Sequence, residues 1–309
     1  MLNKPKFWDR KHESFYSLIF LPLTILLILI NWLSQFIDKK KFKIKTICVG
    51  NIYIGGTGKT PLTIEIFKIL TALKQKSVII KKYYKNQKDE QKLLSKIGPI
   101  ISHNSRIVSL TLAEKQGYKV AVIDDGLQDK KIDYDLKIVC FDKEVFLGNG
   151  KLLPAGPLRE NLSSLKNYDV VFFNGVSNLK KEDRDEIKKI NNNIEIFETH
   201  QKILNIKKIK KNKNYLIFSG IGNPSNFKNL LLKNKIKVKK TLVYPDHYNY
   251  SLNDLKFIEN LAKKLKLKII TTEKDYLRIN NFDKKNIEFI KMKLEVRRKK
   301  SLIQLIRKI

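Results

Sequence analysis

Residues 46–62 read TICVGNIYIGGTGKTPL. An apolar, β-branched run enters a glycine-rich loop, and a helical pattern follows. Gly55, Gly56 and Gly58 let the backbone approach an anion with its N–H groups turned inward. With Tyr53, Ile54 and Thr57 they form the candidate loop for the phosphates of ATP. Lys59 is placed to reach the β- and γ-phosphates and Thr60 to set its hydroxyl on Mg2+. The helix that begins there adds the positive end of its dipole. The strict pattern G-x-x-x-x-G-K-S/T asks for its first glycine at position 53, which is Tyr53. An ordinary glycine turn opening a helix is the alternative; strand, GTGKT and helix in that order favour the nucleotide.

A second chemical signal is KVAVIDDGLQD at 119–129. Its apolar run ends in Asp124 and Asp125. A carboxylate at the C-terminal end of a strand beside a phosphate loop can hold the metal, directly or through water. Alone, the same residues read as a solvated Asp-Gly turn after a core strand. Next to GTGKT the metal role is preferred.

The elements that must position these groups alternate short β-branched runs with longer helical patterns, which implies βαβ units and a mainly parallel sheet. Strands are predicted near 45–49, 78–81, 119–123, 137–141 and 170–173, and a second series near 215–219, 237–243, 268–271 and 287–291. Helices are predicted at 59–74, 182–189, 225–234 and 252–266, with a short amphipathic one at the C-terminus. A lysine and asparagine run at 207–214 has no apolar face and reads as a linker or a solvated hairpin. The expected fold is α/β, with two α/β/α units of Rossmann-like, P-loop NTPase type. The domains are residues 1–40 as a membrane anchor, 41–206 as the P-loop unit, and 207–309 as a smaller C-terminal α/β unit.

Of the 309 residues, 42% are hydrophobic, which excludes a disordered polyampholyte, and the two cysteines, Cys48 and Cys140, are too few for a disulfide scaffold or a cysteine-rich zinc site. Lys plus Arg number 63 against 30 for Asp plus Glu, a net charge of +33. That surplus suits an anionic partner. The cations are nearly all Lys, and neither zinc-finger spacing nor an aromatic RNA-binding signature is present, so nucleic acid is not expected. An anionic membrane surface fits better, because Ser14 to Ile37 contains no charged residue. The core FYSLIFLPLTILLILINWL is long enough for a helix to span roughly 30 Å of hydrocarbon. Trp8 and Trp32 suit the interfaces, and basic residues flank both ends, with the downstream side read as cytoplasmic. A signal peptide and a buried helix are the rivals, and spanning against lying in one leaflet stays open.

Further segments are LLPAGPLRE at 152–160, SGIGNPSNF at 219–227, YPDHYNY at 244–250 and TTEKD at 271–275. Taken in order with the GGTGKTP loop and DDGLQ, they make the chain closely resemble the tetraacyldisaccharide 4'-kinases, the lipid A pathway kinases of Gram-negative bacteria. The resemblance covers nearly the whole chain. It implies transfer of the γ-phosphate of ATP, with Mg2+, to the 4'-hydroxyl of a membrane-embedded tetraacyldisaccharide 1-phosphate, giving lipid IVA. It also implies the inner membrane, with the catalytic domain on the cytoplasmic side. Protein partners are not indicated. The family shares the substitution of the first loop glycine.

The resemblance also carries roles over, residue by residue. Lys59 and Thr60 serve phosphate and Mg2+, and Lys59 counts among the catalytic residues. Asp124 and Asp125 take the metal-carboxylate position. Arg159 and Glu160 match the family's L-R-E-P segment as a phosphate contact and a metal-site carboxylate. Asp89 and His247 correspond to the family's G-D-E-P Asp and D-H-x-x-Y/F His, the base pair for the acceptor hydroxyl. Tyr84 is what remains of the family's S-R-G-Y segment, which here reads Lys81-Lys82-Tyr83-Tyr84. Two further departures are Asp129, where the family has His, and Asn161, where it has Pro. The competing readings are another P-loop phosphotransferase or ATP-driven switch at a membrane, and a basic membrane protein with a decayed site.

Overall fold

From Lys45 onward, β-branched runs form strands and the amphipathic stretches between them form helices. The computed structural model describes residues 5–9, 14–84, 88–246, 248–279 and 284–309. The elements, in chain order, are α1 (Phe15–Ile19), α2 (Leu21–Leu33), β1 (Lys45–Gly50), α3 (Lys59–Ala72), β2 (Ser77–Lys82), α4 (Lys88–Ser95), β3 (Ile100–His103), α5 (Arg106–Lys115), β4 (Val120–Asp124), β5 (Leu136–Asp142), β6 (Val170–Asn174), α6 (Lys181–Ile190), β7 (Glu195–Ile203), β8 (Asn214–Ser219), α7 (Pro224–Lys233), β9 (Lys237–Val243), α8 (Leu252–Lys264), β10 (Lys268–Thr272), α9 (Glu273–Arg278), β11 (Ile287–Ile290), β12 (Met292–Val296) and α10 (Lys299–Arg307). Two units result. Among the described residues the larger comprises those up to 84, 94–200 and 296–309, and the smaller comprises 88–93 and 201–295.

The larger unit is built on β1 to β7, which lie in the order β7-β6-β5-β1-β4-β2-β3 within one sheet. β1 pairs in parallel with β4 and β5, β2 with β3 and β4, and β6 with β5 and β7. β4 and β6 are buried along their whole length, as expected of parallel strands covered on both faces. Val78, Ile80, Ile123, Val139, Phe141 and Phe173 belong to one continuous core cluster. From β1 the chain moves to one side of the sheet for β2, β3 and β4, then to the other for β5, β6 and β7. The crevice outside the C-terminal end of β1 is therefore a topological switch point, where open α/β sheets bind ligands.

The smaller unit has a four-stranded sheet, β11-β10-β8-β9, parallel throughout. Leu216, Phe218, Tyr250, Leu255, Ile258 and Ile269 form its core. Ser251 caps α8 through a reciprocal capping box with Asp254. The two units, each with a predominantly parallel sheet, agree with the expected α/β class.

The N-terminal segment departs from the single long membrane helix expected of it, and of the two placements left open it does not have the length to span. It is two helices: α1 stops at Phe20, and Pro22 stands in the first turn of α2, with no N–H to carry the helix ladder across. α2 has 13 residues, about 20 Å at 1.5 Å per residue, against roughly 30 Å of hydrocarbon. Among the described residues no helix is long and apolar enough to cross a membrane. The segment is instead turned inside out. Ser17 and Thr24 are buried while Phe15, Leu23, Leu26, Ile30 and Trp32 are more than half exposed. Ser17 Oγ donates to Ala155 O at 2.8 Å, Trp8 Nε1 to Pro154 O at 3.1 Å and Asn31 Nδ2 to Arg159 O at 3.0 Å. Thr24 and Asn31, seven residues apart, share one face of α2.

Phe173 sits at the centre of the larger core, its ring 5.8 Å from that of Phe141 and 5.5 Å from that of Phe146. Phe173→Ala is expected to lower stability by about 3–5 kcal/mol, read from denaturant unfolding. A change under about 1 kcal/mol would mean that this cluster does not hold the sheet.

Candidate active site

Gly50 ends β1 where a Cβ would stand 2.5 Å from Leu127 Cγ. Asn51 follows, fully buried, and its Nδ2 donates to Tyr53 O and to Gly55 O, the latter at 3.3 Å. Ile54 N donates to Pro157 O at 2.8 Å and Arg159 N to Ile52 O at 2.7 Å, so the Leu152–Glu160 segment is stitched to the start of the loop. Tyr53 is 2% exposed and packs with Leu152 and Leu158. Its side chain faces this apolar cluster, which leaves the backbone as its contribution to the loop. Asn174 Nδ2, from the end of β6, donates to Thr57 O.

Gly58 is the N-cap of α3 at φ 83°, and no side chain caps the helix. The first-turn N–H groups thus have no side-chain acceptor, an arrangement suited to an anion. A Cβ on Gly58 would lie 2.6 Å from Asn174 Nδ2. The loop admits only glycine there on both counts. Thr57 Oγ1 is buried and has no hydrogen-bond partner among the described residues.

Asp124 ends β4 and is 1% exposed. Its Oδ2 receives Thr60 Oγ1 at 3.2 Å and Lys81 Nζ at 2.8 Å, and its Oδ1 receives Thr63 Oγ1 at 3.2 Å. Asp125 follows at φ 59°, held by its N–H to Val49 O at 2.8 Å and by the Arg106 guanidinium on its carbonyl. Its Oδ1 stands 3.7 Å from Lys59 Nζ and 3.6 Å from Arg159 Nη1, yet accepts no hydrogen bond. Burial alone would raise the Asp125 carboxyl, but Lys59, Arg159, Lys81 and Arg106 together hold it below the usual carboxylate range.

The structure thus brings Lys59, Thr60, Asp124, Asp125 and Arg159 together. Glu160 is engaged otherwise: its Oε1 takes Lys130 Nζ at 2.7 Å and its Oε2 the Tyr168 hydroxyl at 2.6 Å. Burial first, then Glu160, pushes the Tyr168 hydroxyl well up. Tyr84 is exposed, with Lys82 Nζ 5.7 Å from its ring centre. Asp129 pairs with Arg106 at 3.5 Å. The side chain of Asp89 and the whole of His247 lie outside the described residues.

Sequence reasoning missed Asn51, Thr63, Lys81, Arg106 and Asn174. Thr63 carries a signal, standing one turn after Thr60 on the same helix face. Lys81 and Asn174 sit at the C-terminal ends of parallel strands, where site residues of such sheets collect.

Among the described residues no three His, Cys, Asp or Glu side chains form a metal cage. A hydroxyl and one carboxylate suit Mg2+, which binds through one or two carboxylates plus nucleotide phosphates. The donor set of Thr60 and Asp124 fits that ion.

Fold and loop define a P-loop α/β protein built to hold a nucleotide's phosphates. Comparison with known proteins narrows this. The family described as tetraacyldisaccharide-1-P 4'-kinase, LpxK, matches residues 17–309. A tetraacyldisaccharide 4'-kinase of Pelagibacter ubique (strain HTCC1062) is 50% identical over 304 residues, 97% of this chain and 96% of that one. Its counterpart in Rickettsia akari (strain Hartford) is 32% identical over 310 residues, 94% of this chain and 93% of that one. The crystal structure of LpxK from Aquifex aeolicus in complex with ATP has the same fold, at TM-score 0.69 and 24% identity, over 94% of this chain and 98% of that one. The chain belongs to the tetraacyldisaccharide-1-P 4'-kinase family.

Two outcomes check this geometry. Gly58→Ala is expected to abolish ATP binding measured by calorimetry, since it strains φ and drives a methyl into Asn174; retained affinity would show that the loop need not keep this form. Asp125 titrates lower in the folded than in the unfolded chain, so its contribution is present above the unfolded value of about 4 and is lost as pH falls through the folded value. The melting-temperature gap between the wild type and Asp125→Asn should accordingly narrow below about pH 4; a gap that is flat from pH 3 to 7 would contradict this.

Proposed function

We propose that the protein phosphorylates tetraacyldisaccharide 1-phosphate at its 4'-hydroxyl, using ATP and Mg2+, at the cytoplasmic face of the inner membrane. Family membership carries the reaction. The observation that carries its setting is the Leu152–Glu160 segment, which hydrogen-bonds to the phosphate loop on one side and to the outward-apolar N-terminal helices on the other. The enzyme therefore has reason to meet a lipid acceptor where it meets ATP.

In this reading the loop N–H groups and Lys59 hold the β- and γ-phosphates, and Arg159 neutralises charge on the transferred group. Thr60 and Asp124 would hold Mg2+, which when bound screens the phosphate oxygens. The acceptor oxygen forms its bond to the γ-phosphorus as the bond from that phosphorus to the β-bridging oxygen breaks, releasing ADP. His247, oriented by Asp89, takes the hydroxyl proton. Glu160 braces Lys130 and Tyr168 beside Arg159, and Tyr84 offers its exposed ring to the acceptor.

α1 and α2 lie along the membrane surface instead of crossing it. Their exposed Leu23, Leu26 and Ile30 enter the acyl region, Trp32 sits at the headgroup level, and the excess of lysine meets anionic lipid.

The reaction is tested by supplying γ-labelled ATP, Mg2+ and the disaccharide to protein in detergent micelles. Label in the lipid that disappears in Lys59→Ala is expected; ATP hydrolysis with no labelled lipid would contradict the assignment. Asp89→Ala and His247→Ala should each lower turnover by roughly 10²–10⁴-fold, and near-normal rates in either would remove that residue from the base pair. Leu26→Asp with Ile30→Asp should abolish flotation with anionic liposomes while leaving the melting temperature within a few degrees, since both side chains are exposed. Unchanged flotation would remove α2 from the membrane contact.

A further inference from the structure

Lys81 has no part in the reading above, yet its ammonium lies where the chemistry calls for a different cation. Parallel pairing sets Lys81 directly beside Asp124 in the β2–β4 register. Its Nζ is 2.8 Å from Asp124 Oδ2, with the two side chains only 4% and 0% exposed. Thr60, the metal-type hydroxyl, reaches the same oxygen at 3.2 Å. Asp124 therefore presents to its surroundings a carboxylate already answered by one full positive charge and two hydroxyls.

We propose that Lys81 is a resident counter-ion: it fills the cation position at Asp124 while the nucleotide is away, and cedes Oδ2 when the nucleotide arrives with its metal. A buried carboxylate left unpaired would strongly destabilise the metal-free protein, and Lys81 removes that penalty. Lysine suits the task better than arginine, because its ammonium is a point charge on a flexible stem and makes no planar two-point clamp that would hold the carboxylate shut.

The local charge supports the same sequence of events. Lys59, Lys81, Arg106 and Arg159 stand against Asp124, Asp125 and Asp129, four charges against three, a surplus of one positive charge. A free divalent cation is repelled by that surplus. A metal–nucleotide complex, which keeps a net negative charge, is attracted by it. The metal is thereby admitted as part of the substrate.

The inference rests on Asp124 being the metal carboxylate of the proposed reaction, and the test separates the two. Mn2+ binding is followed by electron paramagnetic resonance, which reads the metal itself and needs no turnover. Nucleotide-free wild-type protein should bind Mn2+ weakly, and Lys81→Met at least about tenfold more tightly, because the like charge held against Asp124 Oδ2 is gone. Lys81→Arg, which keeps the charge, should stay weak. Equal affinities in the wild type and Lys81→Met overturn the proposal. So does micromolar Mn2+ binding by the nucleotide-free wild type, a measurement that stands even if Lys81→Met fails to fold. With a non-hydrolysable ATP analogue present, the wild type should bind Mn2+ tightly; failure there overturns the metal role of Asp124, and the counter-ion with it.

Discussion

A carboxylate that is 1% exposed must be answered from inside the protein, and the answer at Asp124 fixes three elements at once. β4 supplies the acid, α3 supplies Thr60 and Thr63, and β2 supplies Lys81. The two threonines set the rotation of α3 about its axis, and so the direction in which the loop before it opens. Asn51 and Asn174 then hold the loop backbone from either side. Each of these groups stands at or just beyond the C-terminal end of a parallel strand or on the first two turns of α3. The switch point of the sheet is where one buried charge can organise an anion site.

The same unit presents two unlike surfaces. At the strand ends it presents fixed N–H groups and cations. At the N-terminal helices it presents leucine, isoleucine and tryptophan outward, with Ser17 and Asn31 turned in to the backbone carbonyls of Ala155 and Arg159. Carbonyls of an irregular segment need donors when covered, and Ser17 and Asn31 supply them from otherwise largely apolar helices. The Leu152–Glu160 segment is thus held by hydrogen bonds on both flanks. Arg159 illustrates the coupling: its carbonyl receives Asn31 while its guanidinium stands beside Asp125.

Much of this was legible in the sequence. The strands at 170–174 and 237–243 and the helices α3, α7 and α8 fall close to the predicted spans, because continuous β-branched runs and 3.6-residue periodicity report burial directly. β3 and β7 were not read. β3 has only four residues, and β7 mixes Glu, Thr, His, Gln and Lys among its apolar positions. The loop glycines, Lys59, Thr60 and Asp124 were legible because their spacing along the chain is itself the signal. Lys81, Arg106 and Asn174 were not, because they meet the loop only through strand pairing. In the N-terminal stretch, hydrophobicity and length alone indicate one long helix, whereas Pro22 and the polar Ser17 and Asn31 are what break it and dock it.

In the proposed reaction the Gly55–Thr60 loop, set by Asp124, receives the phosphates of ATP. Hydrogen exchange of the purified protein with and without ATP and Mg2+ tests it most directly, since it reports which backbone amides the nucleotide covers. The expected result is slowed exchange in peptides spanning residues 51–62 and 124–129, lost in Gly58→Ala. Protection confined to other segments, or none at saturating nucleotide, would contradict it.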